Sequence, residues 1–94
     1  MARRLRFSLS ASAAWSEYLL LLVDPRVRDC LEGEMVRFQR EVLTDPDIGI
    51  LQAGGDRFLH SLGHDCGLIL AVQYQVSEAH VDVVAILEPG LRLD

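Results

Sequence analysis

The sequence predicts an α+β domain: an N-terminal strand, a two-helix hairpin, then a mainly antiparallel sheet of about three further strands, in the order β-α-α-β-β-β. Three observations carry this. From Arg4 to Ser10 the chain reads RLRFSLS and alternates polar with apolar, the period of a strand with one buried face. From Val27 to Val42 the residues Val27, Leu31, Met35, Phe38 and Val42 recur at steps of four, four, three and four, the stripe of an amphipathic helix. From Gly67 to Glu88 the chain reads GLILAVQYQV, SEAH, VDVVAILE. Two β-branched and aliphatic arms around a short polar middle describe a β-hairpin.

In the first strand Leu5, Phe7 and Leu9 point one way and Arg4, Arg6 and Ser8 the other. Ser10 or Ser12 then caps a first helix, by accepting a hydrogen bond from a free backbone N–H. That helix is expected to run to about Val23, with Trp15, Tyr18 or Leu19, and Leu22 at helical spacing. Leu19–Val23 is almost continuously apolar, so the helix packs on more than one side. Asp24–Pro25 breaks it, because proline suits the first turn of the next helix. The second helix runs from Pro25 to about Leu43 and stops at Thr44-Asp45-Pro46-Asp47; Gly33 within it allows close packing. A tight turn between two helices makes an α-hairpin.

Ile48–Gly55 reads as a connection with a glycine pair. Arg57–Leu62 (RFLHSL) is a short strand with Phe58, His60 and Leu62 on one side, and Gly63–Gly67 is a turn into the hairpin. On the first hairpin arm Leu68, Leu70, Val72, Tyr74 and Val76 form one face. On the second arm Val81, Val83, Ala85 and Leu87 form one face, and Asp82, Val84, Ile86 and Glu88 the other. Pro89-Gly90 stops the last strand. The expected core is Leu5, Phe7, Leu9, Trp15, Leu22, Leu31, Phe38, Leu70, Val72 and Val83.

Ninety-four residues, half of them apolar, are enough for one domain (1–94) with a core that needs neither metal nor disulfide. All nine basic residues are arginine, and residues 48–94 hold two of them against six acids. A surface that grips a phosphate backbone needs the opposite balance, so direct nucleic-acid binding is not expected. Nothing approaches the roughly 18 apolar residues of a membrane span. The basic, serine-rich N-terminus has its small residues before its apolar run, the reverse of a secretory signal, and reads as mature structure. Cys30 and Cys66 then read as two reduced thiols of a cytoplasmic protein.

Few side chains suggest chemistry. His60, His64 and Cys66 have H-x3-H-x-C spacing, and Cys30 or His80 would complete a four-ligand set. The usual zinc spacings are absent, so no metal or other cofactor is expected. Cys66 with His64 as a nucleophile–base pair lacks an orienting acid, since adjacent Asp65 points away. Gly54-Gly55 is not a phosphate loop. Tyr74 reads as a core aromatic with its hydroxyl at the rim. Arg3, Arg4 and Arg6 read as charges that discourage edge-to-edge strand pairing.

The order of elements and four segments together resemble the RelE/ParE superfamily, the toxin half of bacterial type II toxin–antitoxin pairs. RFSLSASAAWSEYLLLL resembles the family's first strand and helix, and FQREVLTDPDIG the end of its second helix with a proline-containing turn. RFLHSLG resembles its R-x-L strand, and LAVQYQVSEAHVDVVAIL its tyrosine-bearing hairpin. If the resemblance extends to the ribonuclease branch, the catalytic candidates are Arg57, Tyr74 and Arg92. The arginine often found three residues before the hairpin tyrosine is Ala71 here, and the basic pair often closing the last strand is Glu88-Pro89. The nuclease set is therefore short of cations, which leaves the chain nearer the ParE branch, whose members poison DNA gyrase by protein contact. The resemblance implies a toxin held by a cognate antitoxin protein, with Leu19 and Leu22 as candidate partner contacts. A homodimeric scaffold of the same fold and a ribosome-dependent endoribonuclease are the alternative readings.

Overall fold

The structure is a computed structural model that describes residues 3–88. Its elements are β1 (Arg4–Phe7), α1 (Leu9–Leu21), α2 (Pro25–Thr44), a 3-10 turn (Pro46–Ile48), β2 (Ile50–Leu51), β3 (Arg57–Leu62), a second 3-10 turn (His64–Cys66), β4 (Leu70–Val76) and β5 (His80–Leu87). The five strands form one sheet in the order β1-β5-β4-β3-β2. β1 runs parallel to β5 and every other pairing is antiparallel. The sheet is therefore mixed, and one strand larger than expected. The extra strand is Ile50–Leu51, inside the stretch that reads as a connection; two residues are too few for alternation to show.

Both helices cover one face of the sheet. From α2 come Leu31, Met35, Phe38 and Val42, and from α1 Ala11, with Trp15, Tyr18, Leu19 and Leu22 partly buried around it. The sheet supplies Leu62, Leu70, Val72, Tyr74, Val81 and Val83. Phe58 stacks on Tyr74 and the His60 ring sits against Phe38, with centroids 5.2 and 5.3 Å apart. The hairpin of β4 and β5 thus stands in the middle of the sheet, with the apolar alternation of each arm turned to the helices.

Two details depart from the sequence pattern. Ser8, not Ser10 or Ser12, caps α1: its hydroxyl oxygen accepts from the Ala11 N–H at 3.0 Å. The strand stops at Phe7, three residues short of Ser10, and Leu9 begins the helix 91% exposed instead of joining the core. The Ser8 hydroxyl also lies 3.2 Å from the Val84 carbonyl, which accepts its proton. Val84 is the second departure. Gln73 pairs with Ala85 and Tyr74 with Val83, so Val84 is an extra residue, a β-bulge. Alternation inverts there. Val81, Val83 and Ile86 face the helices, while Ala85 and Leu87 turn to the other side.

The helix boundaries have local causes. Asp24 accepts from the Arg26 N–H at 2.9 Å, with Pro25 in the first turn of α2. Asp45 ends α2 and its carboxylate accepts from the Asp47 N–H at 3.2 Å. Gly33 has open space where a Cβ would be, so no close approach requires it.

Candidate functional site

Arg57 and Tyr74 lie on opposite faces of the sheet. Tyr74 belongs to the helix-covered face and is fully buried. Its hydroxyl donates to the Pro46 carbonyl at 2.8 Å and accepts from the Gly49 N–H at 2.9 Å. Burial, foremost, pushes its phenol pKa above the usual value. Arg57 pairs with Gln75 on the other face, where Nη1 donates to Gln73 Oε1 at 3.3 Å. The sheet thickness separates the two, so they do not converge on one substrate atom. Arg92 lies outside the described residues.

Among the described residues no helix covers Arg57's face. Strand register lines up Arg6, Asp82, Gln75 and Arg57 in one row across it. The Arg6 guanidinium binds both Asp82 oxygens, at 2.7 and 3.2 Å. That hydrogen bond, foremost, lowers the Asp82 pKa and raises that of Arg6. Gln75 donates to Asp56 at 3.1 Å, and Gln73 to Gln52 at 2.8 Å. Each side chain of the row is thus hydrogen-bonded to a neighbour on the same face. Among the described residues, a general base and acid converging on a phosphate, the requirement for 2′-hydroxyl attack, do not gather around Arg57.

The end of α1 and the residues just after it present exposed apolar side chains. Leu19 and Leu22 pack against the core, whereas Leu20, Leu21 and Val23 are 84%, 70% and 91% exposed. The neighbouring residues of a continuous apolar run cannot all face one way, so three of its five residues are left in solvent. The sequence signal was the absence of polar residues from Leu19 to Val23; which members turn inward depends on the helix phase set by the Ser8 cap.

The ligand-type side chains gather elsewhere than their spacing suggests. His60 is held against Phe38, His64 is exposed in its turn, and His80 pairs with Arg4 at the opposite side of the sheet. Cys66 is joined to Cys30 by a disulfide, with Cα atoms 5.9 Å apart. The two cysteines are therefore not the free thiols expected, and Cys66 is not a nucleophile for His64. The bond ties α2 to the turn before β4. Beside it stands Glu34, one helical turn after Cys30, which the sequence reading overlooked. Its Oε1 accepts from the Gly63 N–H at 2.8 Å and its Oε2 from the Asp65 N–H at 3.2 Å. Arg37 approaches Asp65 at 3.6 Å on the rim. The signal for this corner was the i, i+4 spacing of Cys30 and Glu34, which places both on one helix face. The turn itself depends on Gly63 and Gly67, at φ +86° and +79°, a region that L side chains rarely adopt.

Compared with known protein families and with curated proteins, the chain matches none. No described helix is long and apolar enough to cross a membrane.

Proposed function

We propose that this chain is a protein-binding domain of the RelE/ParE-like kind: a toxin that acts by contact with a protein target and is held by a cognate antitoxin. The observation that carries this reading is the apolar exterior at the end of α1 and just after it, where Leu20, Leu21 and Val23 stand in solvent. Exposed apolar residues clustered on one element mark an interaction surface. The strand, helix-pair and sheet order supports the resemblance. The separation of Arg57 from Tyr74 favours protein contact over RNA cleavage. A gyrase-like target fits the ParE branch, and such a toxin works in the cytoplasm. In that reducing compartment the Cys30–Cys66 bond would stand open much of the time.

Induced expression in a bacterial host should arrest growth, and co-expression of a cognate antitoxin should relieve the arrest and give a stoichiometric complex. Leu20→Asp with Leu21→Asp should keep the fold and lose both effects, while mRNA stays intact. Unimpaired growth without a complex would remove the toxin reading in favour of a homodimeric scaffold. mRNA cleavage abolished by Arg57→Ala would replace it with the endoribonuclease.

A further inference from the structure

We propose that the Cys30–Cys66 corner is a redox-gated metal site: once the disulfide is reduced, Cys30, Cys66 and Glu34 bind a thiophilic divalent cation such as zinc. This inference is independent of the proposed function. One ligand atom from each of the three residues lies within 4.8 Å of the others. A tetrahedral ion with metal–sulfur bonds of about 2.3 Å and a metal–oxygen bond of about 2.0–2.2 Å needs ligand atoms roughly 3.5–4 Å apart. The Cα separation of 5.9 Å lets the freed sulfurs spread to that distance by side-chain rotation, without moving α2 from the turn.

Glu34 is held ready for this role. Its Oε1 is committed to the Gly63 N–H at 2.8 Å, while Oε2 has the longer bond to Asp65 N, lies 4.0 Å from the Arg37 guanidinium at the rim and stands 3.6 Å from Cys66 Sγ. Oε2 is thus the oxygen aimed at the sulfurs, and the bond at Oε1 orients it, as outer hydrogen bonds orient metal ligands. The side chain is only 11% exposed, whereas Cys30 is exposed. An entering ion therefore meets a sulfur at the surface and a carboxylate behind it. Two thiolates and a carboxylate bring three negative charges to a dication, leaving a site of net −1 beside the Arg37 guanidinium, with one position for water. That composition selects a soft, tetrahedral ion over magnesium or calcium.

The chemistry balances with a phosphine as reductant. The phosphine gives two electrons to the disulfide and takes oxygen from water, yielding the phosphine oxide and two thiols. The cation then displaces both thiol protons as the two metal–sulfur bonds form. In the oxidised chain the sulfurs are neutral and bonded to each other, so neither can be a thiolate ligand and affinity requires reduction.

Cobalt(II) added to the anaerobic, phosphine-reduced protein tests this. One equivalent should produce the thiolate-to-cobalt charge-transfer absorption and the visible bands of a tetrahedral ion, with zinc displacing it. The unreduced protein should give neither. Glu34→Gln retains an oxygen for the Gly63 N–H but loses the charge; it should weaken cobalt binding at least about 10-fold, as losing even an outer ligand partner does. Cys30→Ser should abolish the charge-transfer band. Zinc should also slow alkylation of both thiols in the unmutated reduced protein, a readout that needs no variant to fold. Absence of the band from reduced protein, or a cobalt affinity unchanged in Glu34→Gln, would overturn the site and leave the corner a disulfide only. If reduction unfolds the chain, recovery of its helical signal on adding zinc supports the proposal, and no recovery overturns it.

Discussion

The Tyr74 hydroxyl accepts the Gly49 N–H at 2.9 Å across a sequence separation of 25 residues. The same oxygen donates to the Pro46 carbonyl at 2.8 Å, so one side chain of the central strand holds both ends of the turn that follows α2. Tyr74→Phe leaves two backbone groups beside the core without partners, at a cost of about 1–3 kcal/mol. A Cβ at Gly49 would come within 2.7 Å of that hydroxyl and 3.0 Å of the Leu59 carbonyl. Gly49→Ala should therefore also destabilise, by about 1–3 kcal/mol. The double variant should lose less than the sum, because removing the hydroxyl removes the closest clash. Urea unfolding of the four proteins measures the coupling; strict additivity would show that the hydroxyl does not crowd Gly49.

The same burial makes stability fall at high pH. The Tyr74 phenol has an ordinary pKa of 10.0, and its folded value is raised, chiefly by burial. Below the ordinary value both folded and unfolded chains keep the proton, and the contribution is fully present. As pH rises beyond 10 the unfolded chain ionises first, so stability is lost through the folded pKa. Tyr18 is raised too, by burial first and then by Glu88, so the Tyr18→Phe variant is the comparison. The urea midpoint, followed from neutral to alkaline pH, should fall less in Tyr74→Phe than in the unmutated chain.

Much of the fold was legible because its elements carry strong periods. The α2 stripe from Leu31 to Val42 and the arm from Leu70 to Tyr74 bury the residues their spacing predicts. Leu9 and the Ala85–Leu87 stretch were misread where one local hydrogen bond or one extra residue resets the phase. Alternation cannot report a helix cap inside its own run, nor a bulge at Val84, since Val suits either face. The parallel pairing of β1 with β5 joins residues about 76 positions apart, such as Arg4 and His80, and no local pattern encodes it. The Cys30–Cys66 bond is hidden for the same reason. Each cysteine lies in a context that reads as ordinary, and only the packing of α2 over the turn after β3 brings them together. Arg57 and Tyr74 were separable in principle, because 57 and 75 are register partners and 74 is the odd neighbour. Assigning the buried face required knowing which side the helices cover.

Val72 tests the centre of that packing. It is fully buried on β4 between His60 of β3 and Ile86 of β5. Val72→Asp places a carboxylate there with no partner, which costs several kcal/mol, against a total stability of about 5–15 kcal/mol for a domain. The variant should be unfolded or nearly so by far-UV circular dichroism at room temperature, whereas Val72→Ile should remain folded. A Val72→Asp protein that melts where the unmutated one does would remove β4 from the core.

Reduction of the Cys30–Cys66 bond should destabilise the protein without abolishing its fold. The bond closes a loop over a sequence separation of 36, for which chain entropy gives about 4 kcal/mol, within a usual range of about 2–4 kcal/mol for disulfides. The corner keeps other ties: both Glu34 bonds to the turn, and Gly63, whose hypothetical Cβ would lie 3.3 Å from Leu31 Cδ1. α2 should therefore stay docked when the sulfurs part. The expected result is a lower urea midpoint and a larger dependence on denaturant, since the reduced unfolded chain expands more. Glu34→Ala in the reduced protein should lower the midpoint further than in the oxidised one, because there the carboxylate is the main remaining tie between α2 and the turn. Equal losses in the two redox states would show that the disulfide and Glu34 hold the corner independently.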